Sequence, residues 1–366
     1  MTSPLTADIH WHTRLQDAPA DSRTPGHPSR TRQWATAWQA VTTEKVLHHR
    51  HATITADVHT ETVSFYLVPP NGSPYWASQE ADAGMEPIWP GPVLYAGSPH
   101  AQYNGAGTTG AAMAAATVHA GTALAKELDA CAVVHPGLRP HQATALTRAA
   151  NGQLVHTLDL ATDVAHTRHL GRTFDDWWAG MPNSTRREAR RIWRRGTEEG
   201  LILEAATGQA IHPLATQFAA LANTTADRHG TRLYGADHFH VLADVPGAVL
   251  LQARQNDELV GGLYGWLYRG TLSLWASGID YRHPCARRTY TWLLSEAARW
   301  AITSGADRID AGRANYRAKA GFGFHPDVLR TVAHLADDMP QLQAQLVELS
   351  HRLGEQAKPY LGTQRW

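Results

Sequence analysis

The densest run of chemistry-bearing residues in the chain is Asp310-Ala311-Gly312-Arg313-Ala314-Asn315-Tyr316-Arg317-Ala318-Lys319. It follows a short stretch that reads as a buried strand. Tyr316 and Lys319 lie three residues apart and share a face if this segment is helical. A lysine so placed stabilises developing negative charge or meets a phosphate, and a tyrosine hydroxyl donates to a leaving oxygen or sulfur. Arg313 leaves a buried strand, where a charge must find a partner, and Asp310 is the nearest one in sequence. Plainer roles stay open: Tyr316 as a packing aromatic, Lys319 as a surface cation, Arg313 with Asp310 as a structural ion pair.

A second group is Arg228, His229, Arg232 and Tyr234, at a polar helix end and the loop after it, where binding pockets are commonly built. His229 has the chemistry to accept an amine proton at neutral pH, or is an ordinary loop histidine. Trp275 and Ser277 alternate onto one face of a strand. They either line an acceptor channel or, for Trp275 above all, pack in the core.

The third group is a basic helix. Thr185 and Glu188 have capping-box spacing, which predicts a helix from about 185 to 199. At about 100° per residue, Arg186, Arg187, Arg190, Arg191, Arg194 and Arg195 fall in one half of the wheel, and Ala189, Ile192 and Trp193 in the other. The helix is anchored by one face and presents six guanidinium groups on the other. Such groups suit bidentate phosphate contact, so RNA phosphate or a coenzyme phosphate is the partner to expect if the face is more than solvated.

Other chemistries have little support. His48-His49-Arg50-His51 is a tempting metal sequence, but neighbouring residues of an extended segment point to opposite faces and no HExxH accompanies them, so no metal is expected. Cys131 and Cys285, the only cysteines, are too few for a disulfide framework. Gly105-Ala106-Gly107 and Gly261-Gly262 lack the spacing of a dinucleotide or P-loop site, and no GxSxG elbow is present. Lys plus Arg and Asp plus Glu number 33 each, which argues against a dedicated nucleic-acid-binding module. No apolar run of about 20 residues is present, so no membrane span is expected and a cytoplasmic location is.

These groups need a scaffold, and 366 residues with 43% hydrophobic content suffice for two cores. The first 30 residues are Pro-, Ser- and Thr-rich and read as a flexible arm. Strands at 51–58, 62–68, 93–96 and 131–135 with an alanine-rich helix at 110–128 make a first α/β unit, residues 31–170. The rhythm repeats in 171–336: the basic helix, strand 201–205, helix 213–229, strands 247–254, 259–268 and 272–280, helix 286–304 and strand 307–311. Residues 337–366 form a C-terminal helix and tail.

The strand ending Asp310-Ala311-Gly312-Arg313, followed by Tyr316, Lys319 and Gly323-Phe324, resembles the C-terminal half of the GNAT superfamily. The turn Met181-Pro182-Asn183-Ser184 running into Arg186 and Arg187 resembles its Fem-type branch, whose members carry two such domains. The resemblance covers residues 172 to 335 and implies an α/β fold of tandem GNAT-like domains with mixed central sheets flanked by helices. It also implies amide formation on an amine-bearing small-molecule or cell-wall-type acceptor.

Ordinary members hold the coenzyme A pyrophosphate on helix N-terminal amides through a Q/RxxGxG/A turn. The corresponding stretch, 280–289, has no glycine and contains Pro284. The Fem-type donor, aminoacyl-tRNA, therefore fits better and no cofactor is expected. An acyl-coenzyme A-dependent N-acyltransferase is the alternative, and a non-catalytic GNAT-like binding module the alternative of another class.

Overall fold

The computed structural model describes residues 7–23, 25–153 and 155–366. In chain order the elements are β1 (Ala7–His12), α1 (Arg32–Ala40), β2 (His48–Ala56), β3 (His59–Val68), α2 (Pro74–Asp82), β4 (Val93–Ala96), α3 (Ala111–Glu127), β5 (Ala132–Leu138), α4 (Pro140–Asn151) and β6 (His156–His169). Then come α5 (Phe174–Ala179), α6 (Asn183–Glu198), β7 (Ile202–Thr207), α7 (Ala215–His229), α8 (Ala236–Leu242), β8 (Ala248–Gln255), β9 (Glu258–Tyr268), β10 (Thr271–Ile279), α9 (Ala286–Thr303), β11 (Arg308–Asp310), α10 (Tyr316–Gly321), β12 (His325–Leu335) and α11 (Pro340–Ala357). They form two compact units that interleave in sequence. Residues 1–32, 42–164 and 328–366 make unit 1, and residues 33–41 and 165–327 make unit 2.

In unit 1, β1, β2, β3 and β4 run antiparallel in succession. The chain then crosses through α3 to β5, which lies parallel to β4. The second half of β12 adds on antiparallel to β5. α3 is built for close approach: half of its buried residues are alanine, and a Cβ on Gly121 would sit 3.1 Å from Val133 and 3.2 Å from Phe65. α11 buries Leu342, Leu346, Leu349 and Leu353, spaced at helical intervals, in a core shared with Trp76, Trp89 and Tyr95.

Unit 2 repeats the plan. β7, β8, β9 and β10 are antiparallel neighbours, α9 crosses over, and β11 lies parallel to β10. The last residues of β6 close the order antiparallel to β11. Here the crossing helix is bulky, burying Trp292, Leu293 and Leu294 against Val249, Leu251 and Leu263. On α7, close approach comes from the strand instead, because a Cβ on Gly278 would meet the Ala222 nitrogen at 2.7 Å.

The differences from the sequence reading have local causes. Residues 7–12, placed in a loose arm, form β1 because Ile9 and its neighbours alternate along β2. β5 runs on through Pro136 and Gly137 to Leu138, with the irregularity absorbed as a register shift opposite Arg330 and Val332. α6 starts at Asn183, two residues early, and Thr185 does not cap it, because Glu188 turns forward to Arg191 at 2.6 and 2.8 Å. Pro213 lies inside a 3-10 segment that ends at Leu214, and α7 begins after it at Ala215.

Candidate functional site

In unit 2 the parallel contact of β10 with β11 spans only Thr271–Ser273, and β10 continues to Ile279 beyond it. Trp275 is the extra residue of a bulge between Leu274 and Ala276, and such bulges re-aim side chains. A cavity of about 200 Å³ opens where β10 runs under the C-terminal end of α7 and the loop after it. Trp275, Ala276 and Ser277 form one wall, Ala222 to His229 another, and Gly230 to Tyr234 the third.

Four of the six expected pocket residues line this cavity: His229, Tyr234, Trp275 and Ser277. The two arginines do not line it. Arg228 lies over the Tyr281 ring at 4.6 Å, and Arg232 pairs with Asp227. His229 Nε2 is 2.9 Å from the Tyr281 hydroxyl, which fixes the imidazole plane. Sequence reasoning missed the aromatic backing of the wall. Trp38 of α1 meets Trp275 edge-on at 6.3 Å and His238 at 5.6 Å, and Tyr264 and Trp266 complete the cluster. In the sequence, the four-residue spacing of Trp34 and Trp38, which puts both on one helix face, is the signal of it.

Tyr316, Lys319 and Arg313 come together elsewhere in unit 2, and none of them lines the cavity. Gly312, Ala314 and Asn315 all have positive φ, at 73°, 58° and 52°, a costly conformation for the two non-glycine residues. Buried Lys319 holds this turn, its Nζ donating to the Gly312 carbonyl at 3.0 Å and to that of Arg313. Asp310 Oδ1 accepts the Gly312 amide at 2.9 Å. His166 stacks on Tyr316 at 5.3 Å. Burial first, and the Lys319 charge second, depress the His166 imidazole to a pKa of about 3. The trio is thus part of a tightly held turn.

On α6 the anchors are Ala189 and Gly196, with Trp193 donating to buried Glu296 at 2.6 Å. A Cβ on Gly196 would lie 2.7 Å from Trp292, so the glycine brings α6 onto α9. The basic face is partly neutralised: Arg190 pairs with Asp175, Arg191 with Glu188 and Arg195 with Glu199, and Arg186 donates to Asn183. Arg187 and Arg194 are exposed and have no ion pair among the described residues. They stand seven residues apart, on one side of the helix.

The two crossing helices differ at their starts. At α9 the chain uses its own donors: the Ala286 amide bonds to the His283 carbonyl at 3.0 Å, and those of Arg288 and Thr289 to the Cys285 carbonyl at 2.8 and 3.1 Å. Arg288 is held by Glu199 at 2.5 Å. Two amides of the first turn are thus engaged within the chain, and one of its arginines is held by a carboxylate. At α3 the preceding loop reads Gln102-Tyr103-Asn104-Gly105-Ala106-Gly107, the QxxGxG spacing sought at 280–289, and it does connect a strand to a helix. Gly110 caps α3 at φ +86° with open space around its Cβ position. A cavity of about 380 Å³ there carries Arg23, Arg30 and His141, and also the carboxyl groups of Asp21 and Glu61. Burial raises the Asp21 pKa.

Among the described residues no group of three His, Cys, Asp or Glu could hold a metal ion, and no helix is long and apolar enough to cross a membrane. In both units an antiparallel run of strands is followed by a helical crossing to a parallel strand. Residues 183–320 match the model of an acetyltransferase (GNAT) domain, and the chain as a whole has the Fem-like double-GNAT fold.

FemX superposes with a TM-score of 0.58 at 10% identity, over 88% of this chain and 96% of FemX. The C-terminal domain of a putative lysylphosphatidylglycerol synthetase from Agrobacterium fabrum gives 0.51 at 10% identity, over 78% and 84% of the two chains. L-PGS from Bacillus licheniformis gives 0.50 at 10%, over 80% and 86%. No curated protein matches the chain in sequence.

Proposed function

We propose that this chain is an aminoacyltransferase that moves an aminoacyl group from tRNA to the amine of a small-molecule or cell-wall-type acceptor. The observation that carries the reading is the division of labour around α9. The Ala286 and Arg288 amides of its first turn are taken by the chain itself, while the helix packed on it, α6, exposes Arg187 and Arg194 free of ion pairs among the described residues. A polyanionic donor needs several outward cations, whereas a pyrophosphate needs open amides. FemX and the lysylphosphatidylglycerol synthetase domain share the fold, which agrees with such a donor.

In this reading a neutral amine attacks the ester carbonyl and negative charge develops on the oxygen; the ester C–O bond then breaks, and the tRNA ribose oxygen leaves as a hydroxyl carrying the proton that the amine gives up. Backbone N–H groups of β10 beyond Ser273, where β11 has ended, supply donors for it. In the tautomer that donates Nε2–H to Tyr281, His229 Nδ1 takes the amine proton. Positioning does most of the remaining work.

The test is donor discrimination. Purified protein is given an amine acceptor with either charged tRNA or acetyl-coenzyme A, with RNase as control. The expected product forms from charged tRNA, disappears with RNase, and is lost when Arg187, Arg190, Arg191 and Arg194 are all changed to Gln. RNase-resistant product from acetyl-coenzyme A would sink the reading. It would favour the acyl-coenzyme A alternative, which has its own support in the QxxGxG spacing between β4 and α3. Under that alternative Arg30→Gln, and not Arg288→Gln, weakens coenzyme binding.

A further inference from the structure

We propose that the cavity under α7 is a specificity pocket for an uncharged, planar or apolar group of roughly benzene size, and that it rejects a cationic side chain such as lysine. The inference rests on the transfer reading for its place in the reaction, and on the cavity alone for its chemistry.

Three observations converge. The first is size. A dry cavity of about 150 Å³ accepts benzene, so one of about 200 Å³, open on one side to solvent, has room for a ring or a short branched chain. The second is charge. No Asp or Glu lines the cavity, the neighbouring Asp227 is committed to Arg232, and Arg228 sits close by on Tyr281. An ammonium group entering here loses part of its hydration and gains no carboxylate, which is unfavourable.

The third observation is the arrangement of the rings. An aromatic cage that holds a cation turns its ring faces toward the ligand. Here Tyr234 and Trp275 turn theirs toward each other, with centroids 4.0 Å apart and planes at 33°. Trp38 closes on Trp275 edge-on, with planes at 88°. The rings make an apolar wall and not a cage. Ser277, Asn223 and Thr225 add neutral polar groups that orient a ligand without requiring a charge on it.

The group that fills the pocket belongs either to the transferred acyl unit or to the acceptor amine, and two probes separate these sources. N-acetyl-phenylalanine methyl ester mimics the former and benzylamine, its amine held in solvent, the latter. N-acetyl-lysine methyl ester is the cationic control. Binding is followed on the full-length protein by tryptophan fluorescence and checked by calorimetry, with no tRNA or coenzyme present.

The phenylalanine ester or benzylamine should bind about tenfold or more tighter than the lysine ester. Trp275→Ala should abolish that preference. Ala276→Asp, which introduces a carboxylate at a half-buried position with little change in volume, should invert it toward lysine. Equal or tighter binding of the lysine ester to the unaltered protein overturns the proposal, and so does an unchanged preference in Ala276→Asp. Because these readouts need no turnover, probe binding that survives while charged tRNA supports no product removes the proposed function and leaves the pocket assignment standing.

Discussion

Units 1 and 2 solve the same topological problem with different materials. Each carries four antiparallel strands, a helical crossing and a parallel fifth strand: β1 to β5 through α3, and β7 to β11 through α9. In unit 1 the crossing is made of small residues and glycine, its loop is long, and its helix begins at an open glycine. In unit 2 the loop is short and carries Pro284, the Ala286 and Arg288 amides of the first turn are taken by chain carbonyls, and the helix face is Trp292, Leu293 and Leu294. A shared fold therefore fixes neither how a crossing packs nor whether its helix start is free for an anion. That depends on loop length, glycine placement and what the helix leans on.

The packing half of this comparison is the easiest to break, and the expected effect is the largest. Trp292 is 1% exposed and also donates its indole N–H to Thr197 at 3.1 Å. Trp292→Ala should cost about 3 to 5 kcal/mol in urea unfolding. At α3 the opposite substitution should hurt: Gly121→Leu drives a side chain into Phe65 and Val133 and should cost about 1 to 3 kcal/mol. If Trp292→Ala is mild and Gly121→Leu neutral, the two crossings are not packed as differently as described.

A pH experiment sharpens the same contrast. Unit 1 buries His135 against His334 with ring centroids 5.2 Å apart, and burial lowers the His334 pKa to about 4. Between pH 6.5 and about 4 the unfolded chain holds a proton on this imidazole that the folded chain does not. Stability contributed by His334 is therefore present above 6.5 and lost as pH falls through that window. His334→Gln, which retains a partner for Thr157, should flatten the stability profile there by about 1.4 kcal/mol per pH unit. Asp21, Glu80 and Asp82 in unit 1 are raised by burial and act in the opposite direction. The difference between variant and parent is thus the readout. A parallel pair of profiles would mean that His334 is protonated alike in both states.

What was legible in the sequence follows the same physical lines. The alternating strands at 51–58 and 62–68 and the basic helix were visible because each has a strong period, and α3 because its alanine run has high helix propensity. β6 escaped notice because Thr, Asp, His and Arg fill its run 156–169 and supply no clean alternation, although most of its central residues are buried. A third of the pocket lining was readable from side-chain type: His229 and Tyr234 are polar or aromatic residues at a helix end and the loop after it, and Trp275 and Ser277 alternate along a strand. Trp38 was not, because nothing in a sequence joins residue 38 to residue 275. The QxxGxG spacing was hidden for another reason. It was sought at α9, whereas the long loop that carries it belongs to unit 1.

The smallest expected effect is the most direct test of why α9 can dispense with open amides. If α6 supplies the phosphate contacts in unit 2, its two arginines outside ion pairs should matter more per residue than its paired ones. Arg191 is already held by Glu188 at 2.6 Å, so bringing it to a phosphate means giving up that bond, whereas Arg187 gives up nothing comparable. Arg187→Gln should therefore lower the slope of log binding constant against log salt for tRNA by roughly 0.7 to 0.9. Arg191→Gln should lower it by less. Neither change should shift the unfolding midpoint by more than the equivalent of about 0.5 kcal/mol, since both side chains are exposed and the Ala189 and Gly196 anchors are untouched. Equal slopes for both variants and the parent protein would show that α6 meets no phosphate. The closed start of α9 would then have no cationic counterpart in unit 2, and the open start of α3 would become the place to look for the donor.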